Sequence, residues 1–531
     1  MKQILTTLLL VAGITFISNA QFTNYAVALE PMQINGLPGL QSYAWGKHNG
    51  KWILFGGRLD GLHRRQPFAS FAAAGNNTNI YVVDPVTKNL WSAALSSLPA
   101  SIAEQLQSTN MQFYQKDNML YITGGYGYSA TAGNHITHPY LTAIDLAGLS
   151  SAIINGQSIT SHIRQIGNHQ MAVTGGHMGM LDSMYYLVCG NRFDGRYNPM
   201  GNPTFTQAYT NQIRKFTIDD NGTNLTIKNY SAVTDSVNLH RRDYNMTPGF
   251  TVNGAPDYTI WTGVFQYTLD LPWLNTVSFN NSGHSVNNGF NQYLSQYHSA
   301  NLPMYDSLTN SMYTLFFGGI SQYYANDSGN VIRNDSVPFV KTISYVKRDA
   351  SGNRSEHLLK QQMPGYVGAG AELILSDGIA HYDNEVVKMN SIQGDSVLAG
   401  YIVGGINSSA KNIFWINDGT QSTANAEIYK VWFIKHTNTA VINVQDPVQW
   451  KVSIYPNPSD SQFNLRLQNF NPQDWIQVKL TDVQGRLISK VYDGKAIADV
   501  IEVSTKQLSK GVYFLTIQSG QVWHVERVVV K

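Results

Sequence analysis

A chain of 531 residues exceeds one ordinary core, so at least two folding units are expected. Charged residues are only 13% and aromatics reach 11%, with 45 Gly and 30 Tyr, the profile of strands joined by polar turns. A net charge of +2 without a Lys/Arg run excludes the basic stripe that nucleic-acid binding needs, and the single cysteine, Cys189, excludes a disulfide framework and any multi-cysteine metal or cluster site.

Residues 1–20, MKQILTTLLLVAGITFISNA, combine the positive Lys2, an apolar core from Ile4 to Ile17 and the small-residue cleavage site Ser18-Asn19-Ala20. That is a signal peptide for export through the periplasm. The apolar stretch is short for an uncleaved anchor, and no other segment has 18 uncharged apolar residues, so no transmembrane segment is expected in the mature chain.

From Tyr43 onward one cassette recurs: an apolar strand, a polar turn, then a second apolar strand ending in Gly or Gly-Gly. It occurs at Tyr43–Gly57, Met111–Gly125, Met171–Gly190, Met246–Gly263, Ala300–Gly319 and, more loosely, Ala371–Gly405. The spacings of the final glycines are 68, 65, 73, 56 and 86 residues. Further strands follow several copies, most clearly NIYVVDPVTKNLWSAAL (Asn79 to Leu95) and IRKFTIDDNGTNLTI (Ile213 to Ile227), where Asp-Pro and Asp-Asp-Asn-Gly signal turns. Four strands per long unit match a β-propeller; a large two-sheet sandwich accommodates six ordered cassettes less well.

The first unit, with Phe55-Gly56-Gly57, Tyr81, Asp84-Pro85 and Trp91, resembles a Kelch blade. Units two, five and six keep Gly-Gly, whereas units three and four have Cys189-Gly190 and Thr262-Gly263, and most lack the tryptophan. The resemblance implies an all-β, six-bladed Kelch-like β-propeller. Its ring is expected to close by pairing Asn24 to Ile34 with the last blade, which otherwise ends at its third strand, Glu427 to His436.

In such a fold the long loops Arg58 to Thr78, Tyr126 to Tyr140 and Asn191 to Phe205 share one face and surround the channel mouth, a place where function concentrates. They offer Arg58, His63, Arg65, Arg192, Arg196 and Tyr197 as ligand-binding candidates. Counting back 21 residues from the glycines of units three, four and five gives His169, Arg242 and His298 as equivalent positions, with Arg241, Asp243 and Tyr244 beside them. Arginine forks, histidines and aromatic faces suit an anionic or hydroxylated ligand. Cys189, in an apolar run, reads as a buried residue, not a nucleophile.

No nucleophile elbow, P-loop, dinucleotide fingerprint or sialidase-type repeat occurs, and no cofactor or metal-ligand set is read from the sequence. The leading expectation is therefore a binding protein for a glycan or other extracellular ligand. The alternatives are a Kelch-like enzyme acting on a sugar acid or glycan, centred on His169, His298, Arg242 and Asp243, and a structural surface or adhesion protein.

From Val452 the texture changes to short alternating strands bounded by turn residues, the pattern of a small β-sandwich with a hairpin turn at Gly485. The Y-P-N-P opening at Tyr455 to Pro458, Phe463, the D-x-x-G-R step at Asp482 to Arg486, the G-V-Y-F step at Gly511 to Phe514 and the terminal Lys531 resemble the C-terminal sorting domain of Bacteroidetes type IX secretion cargo. A plain carbohydrate-binding or spacer sandwich is the alternative. The resemblance implies recognition by an outer-membrane translocon and delivery to the cell surface or medium. The organisation expected is thus a signal peptide (1–20), a propeller (21–440), a linker (441–451) and a sorting domain (452–531).

Overall fold

Alternating apolar residues in each cassette fold as an antiparallel hairpin, because period-two patterning buries one face of a strand against its neighbours. The computed structural model describes residues 25–66, 68–198, 204–326, 329–435, 442–443, 451–468, 475–482, 486–495, 500–519 and 522–531. The signal peptide, most of the linker and the turn at Gly485 lie outside them. The chain divides into two units, at Val444 and Gln445.

The first unit contains six four-stranded antiparallel sheets, some carrying short extra strands, and the first five are each built from one cassette and the segment after it. The first sheet comprises Ala44–His48, Lys51–Phe55, Asn79–Val83 and Leu90–Ala94, and the second Thr109–Lys116, Met119–Ser129, Tyr140–Asp145 and Ile163–Gly167. The third comprises His177–Leu181, Met184–Val188, Gln212–Asp220 and Leu225–Thr234, and the fourth Asn245–Phe250, Pro256–Trp261, Thr276–Asn280 and Gly283–Asn287. The fifth is built on Asn301–Asp306, Ser311–Phe317, Thr342–Arg348 and Arg354–Gln362. The sixth takes Tyr366–Leu375, Ser396–Ser408 and Ile428–Lys435 from the end of the unit and its outer strand, Tyr25–Met32, from the beginning. That pairing runs in register from Tyr25 opposite Lys435 to Met32 opposite Ile428. Glu30 accepts hydrogen bonds from Lys430 (2.9 Å) and Trp432 (2.8 Å) across it.

Apolar layers join the sheets in sequence order and then join the last to the first. Phe55 and Ile122 share a core between sheets one and two, Leu141 and Leu187 between two and three, and Val188 and Ile260 between three and four. Trp261 and Phe316 meet between four and five, Phe317 and Ile402 between five and six, and Val403 and Trp52 between six and one. Two short helices, Ala100–Leu106 and Leu146–Ile154, depart from the all-β expectation. The second buries Leu146, Leu149, Ala152 and Ile153 in the core of the first two sheets, where packing outweighs the weak intrinsic stability of so short a helix.

The recurrent Gly-Gly is a joint between sheets. The amides of Gly57, Gly125 and Gly190 donate to the carbonyls of Ser108, Val173 and Arg241, each in the segment leading into the next sheet. Gly319 and Gly405 donate likewise to Val367 and Leu40. At Gly124, whose φ is +63°, an added Cβ would stand 1.8 Å from the Val173 carbonyl oxygen, so the first glycine of the pair has no room for a side chain. Cys189 and Thr262 replace that glycine in sheets three and four and still adopt positive φ. The Cys189 thiol is buried, and that burial pushes its pKa up to about 12, which keeps it protonated.

The second unit places a three-stranded sheet (Lys451–Tyr455, Gln462–Gln468, Val500–Ser504) and a four-stranded sheet (Trp475–Asp482, Leu487–Lys495, Gly511–Ser519, Val522–Val530) around one core, which includes Phe463, Leu465, Leu480 and Leu515. Its sequence motifs have structural work: Asn457 donates to the Arg527 carbonyl (2.6 Å) and accepts from the Val529 amide (2.9 Å), tying the Y-P-N-P turn to the last strand. Asp482 accepts from both the amide and the Nε of Arg486, at 3.0 and 2.7 Å.

Candidate functional site

One residue from each of the six sheets, ahead of or within its first strand, joins a closed cycle of backbone hydrogen bonds. Ser42 donates to Gly370, Gly370 to His298, His298 to Asp243, Asp243 to Gly175, Gly175 to Asn110, and Asn110 back to Ser42, at 2.8 to 3.3 Å. Ser42, Asn110, Gly175, Asp243 and Gly370 all have positive φ, a conformation that Gly, Asn and Asp tolerate best. These six residues line a cavity of about 1060 Å³.

On the cycle, Asp243 is the acceptor for the guanidinium of its neighbour Arg242, through Nη1, and for the amide of Asn110 at 3.3 Å. Arg242 Nε donates to Tyr209 Oη at 3.2 Å, and its guanidinium lies over the Phe265 ring at 5.1 Å. Burial works against the Arg242 charge, yet Asp243, Tyr209 and Tyr297 outweigh it and hold the pKa above its ordinary value. Tyr197, Phe265 and Tyr297 line the cavity with this pair, together with Phe71, Phe414 and Trp415. His63 packs between Phe71 (5.3 Å) and Tyr197 (4.6 Å), and desolvation lowers its pKa to about 4, so the ring is neutral.

A second titratable pair lines the same cavity, with His298 Nε2 3.1 Å from Glu372 Oε1. The His177 ring meets His298 edge-on at 5.1 Å and its Nε2 donates to the Tyr244 carbonyl, 2.6 Å away. Burial and the neighbouring His298 lower the His177 pKa to about 3.

Of the candidates read from the sequence, Arg58, His63, Tyr197, Arg242, Asp243 and His298 line the cavity. Arg58 is committed to its own loop: Nε and Nη2 pair with Asp60, Nη1 with Asn76 and Nη2 also with the Ala72 carbonyl. Arg65 stacks on Trp415 at 3.9 Å outside the cavity lining, Arg192 pairs with Asp194 at 2.6 Å, and Arg196 donates to the Ser70 carbonyl at 2.8 Å. Arg241 is fully buried and serves the carbonyls of Asn238, Thr262 and Asn275. Tyr244 is buried and donates to the Val188 carbonyl at 2.6 Å.

Of the three offset positions His298 alone lies on the cycle; Arg242 precedes the cycle residue Asp243 by one, and His169 is displaced further. Its exposed ring contacts the side chain of Gln170 at 2.9 Å, six residues ahead of the cycle residue Gly175. The cycle residue stands 15 residues before the final glycine in the first three sheets but 20, 21 and 35 before it in the others, because hairpin lengths differ, so a fixed offset loses register. Asn110, Glu372 and Tyr297 carried no sequence signal that singled them out.

Residues 453–531 match the family described as the secretion system C-terminal sorting domain. The chain is a cargo of type IX secretion. Its destination is therefore the outer cell surface or the medium, and no helix among the described residues is long and apolar enough to cross a membrane. No curated protein matches the cargo's sequence. A solved structure described as "Structure of YjhT" aligns with 75% of the cargo and 97% of its own chain, at 11% identity and a TM-score of 0.41.

Proposed function

We propose that the cargo is a secreted or surface-held, six-bladed Kelch-like β-propeller whose axial mouth binds a glycan. Ring closure is supported by the cycle from Ser42 to Gly370 and by the apolar layer joining the sixth sheet to the first. The observation that carries the binding reading is the Arg242–Asp243 pair opening into a cavity walled by Tyr197, Phe265 and Tyr297. A guanidinium and a carboxylate side by side supply a donor and an acceptor for adjacent sugar hydroxyls, and aromatic faces pack on the apolar face of a sugar ring.

Presenting the full chain to an array of bacterial, plant and animal glycans tests this. Saturable binding that Arg242→Ala weakens is the expected result, and no binding to any glycan returns the protein to a structural surface role. The enzyme reading retains one specific support, the His298–Glu372 pair, which offers a proton donor and an acceptor within the same cavity.

A further inference from the structure

Resting on the glycan-binding reading, the charge arrangement of the cavity narrows its ligand. Three cationic side chains with fixed charge line it, Lys47, Arg58 and Arg242, against seven carboxylates. The three cations are already matched: Lys47 pairs with Asp377, Arg58 with Asp60, and Arg242 with Asp243.

Recognition of a carboxylate by arginine uses two parallel N–H donors on one edge of the guanidinium. On Arg242 the charge that would attract a carboxylate is already met by Asp243, and two of its five N–H groups are engaged. Its Nε is held by Tyr209 and its Nη1 by Asp243, which leaves Nη2 as the nitrogen without a hydrogen bond to the described residues. All three nitrogens of Arg58 are engaged within the loop. His63 is kept neutral by burial. Among the carboxylates lining the cavity with Arg242, Asp335 has Arg333 as its counter-charge at 2.7 Å, whereas Asp270 has no cation within ion-pair distance among the described residues. An incoming acid therefore meets compensated cations and an uncompensated carboxylate, whereas hydroxyls find donors in Nη2 and acceptors in Asp243 and Asp270.

We infer that the mouth selects neutral, hydroxyl-rich glycans and discriminates against those bearing uronate, sialate or sulfate at the bound end. The internal pair Arg242–Asp243 is the specificity-determining element. Within it, Asp243 compensates the charge of the arginine and sets a carboxylate acceptor beside its N–H donors, an arrangement that reads hydroxyls.

Matched glycans differing only in a hydroxymethyl or carboxylate group, titrated calorimetrically into the full chain, test the inference. The neutral member is expected to bind at least about tenfold more tightly, the scale at which like-charge juxtaposition acts. Asp243→Asn, which keeps the shape and tolerates positive φ, should narrow or invert that ratio. An acidic member that binds the unaltered protein as well as its neutral counterpart overturns the inference while leaving glycan binding standing. Failure of every glycan to bind overturns both.

Discussion

His298 Nε2 lies 3.1 Å from Glu372 Oε1, inside the cavity that also holds Arg242. Burial disfavours the charged imidazole, but Glu372, and behind it Asp243, outweigh burial and raise the pKa above its ordinary value. A raised folded-state pKa gives stability that is complete below the unfolded value near 6.5 and is lost as pH rises through the folded value.

Replacing His298 by Gln should therefore lower Tm most at about pH 5.5 and least at about pH 9. Buried His63 and His177 act with the opposite sign, since pKa values lowered to about 4 and about 3 oblige the protein to lose stability as pH falls below 6.5. Burial, the larger cause of the His177 shift, persists in the variant, so the difference between native and variant melts at each pH chiefly reports His298. A difference that is constant with pH, or largest in alkali, would show that the pair is not ionised in the folded protein.

Closure of the sixth sheet by Tyr25–Met32 gives a second expectation. Without that strand the backbone edge of Ile428–Lys435 is unpaired and the core around Val27, Val431 and Phe433 opens to water. A variant that begins at Asn35 should melt at least roughly 2 °C lower, the scale of about 2 kcal/mol or more in a domain of this size, and should aggregate more readily. Differential scanning calorimetry of both chains decides it, and an unchanged Tm would mean that the strand closes nothing.

The strands and the order of the six cassettes were legible because burial of one sheet face writes period two into the sequence, and because Gly124 and its counterparts are excluded from having side chains by a neighbouring carbonyl. The sorting domain was legible for a similar reason: Asn457 and Asp482 are fixed by the backbone groups they hold. The candidate site was legible only in part. Arg242, Asp243 and His298 stood out as polar residues beside cassette boundaries, but Glu372 joins them through a cavity shared by strands 74 residues apart from His298, a distance no local pattern spans. Composition likewise showed arginines in the loops but not their partners, and it is the partners that decide whether an arginine is structural, like Arg58 and Arg196, or open to a ligand.

Adjacent arginines give the sharpest contrast. Arg241 is fully buried and its guanidinium serves the carbonyls of Asn238, Thr262 and Asn275 while lying over the Trp273 ring at 5.1 Å. Arg241→Ala leaves those carbonyls without their donor and empties the space between them, so stability should fall by about 3 kcal/mol or more. Arg242, by contrast, keeps about a quarter of its side chain exposed, at 23%, and among the described residues its guanidinium hydrogen-bonds to Asp243 and Tyr209 and lies over Phe265. Truncating it removes the open Nη2 donor, and a lost hydrogen bond from a charged group is worth about 1.5 to 3 kcal/mol, so glycan affinity should fall about tenfold or more with a smaller change in Tm. Asp243 would then be a lone carboxylate, but one that faces the cavity and still accepts from Asn110, which limits the cost to folding. Thermal melts and binding titrations on both variants separate the roles. An Arg242→Ala protein that is strongly destabilised yet binds glycan with native affinity would remove this arginine from the site.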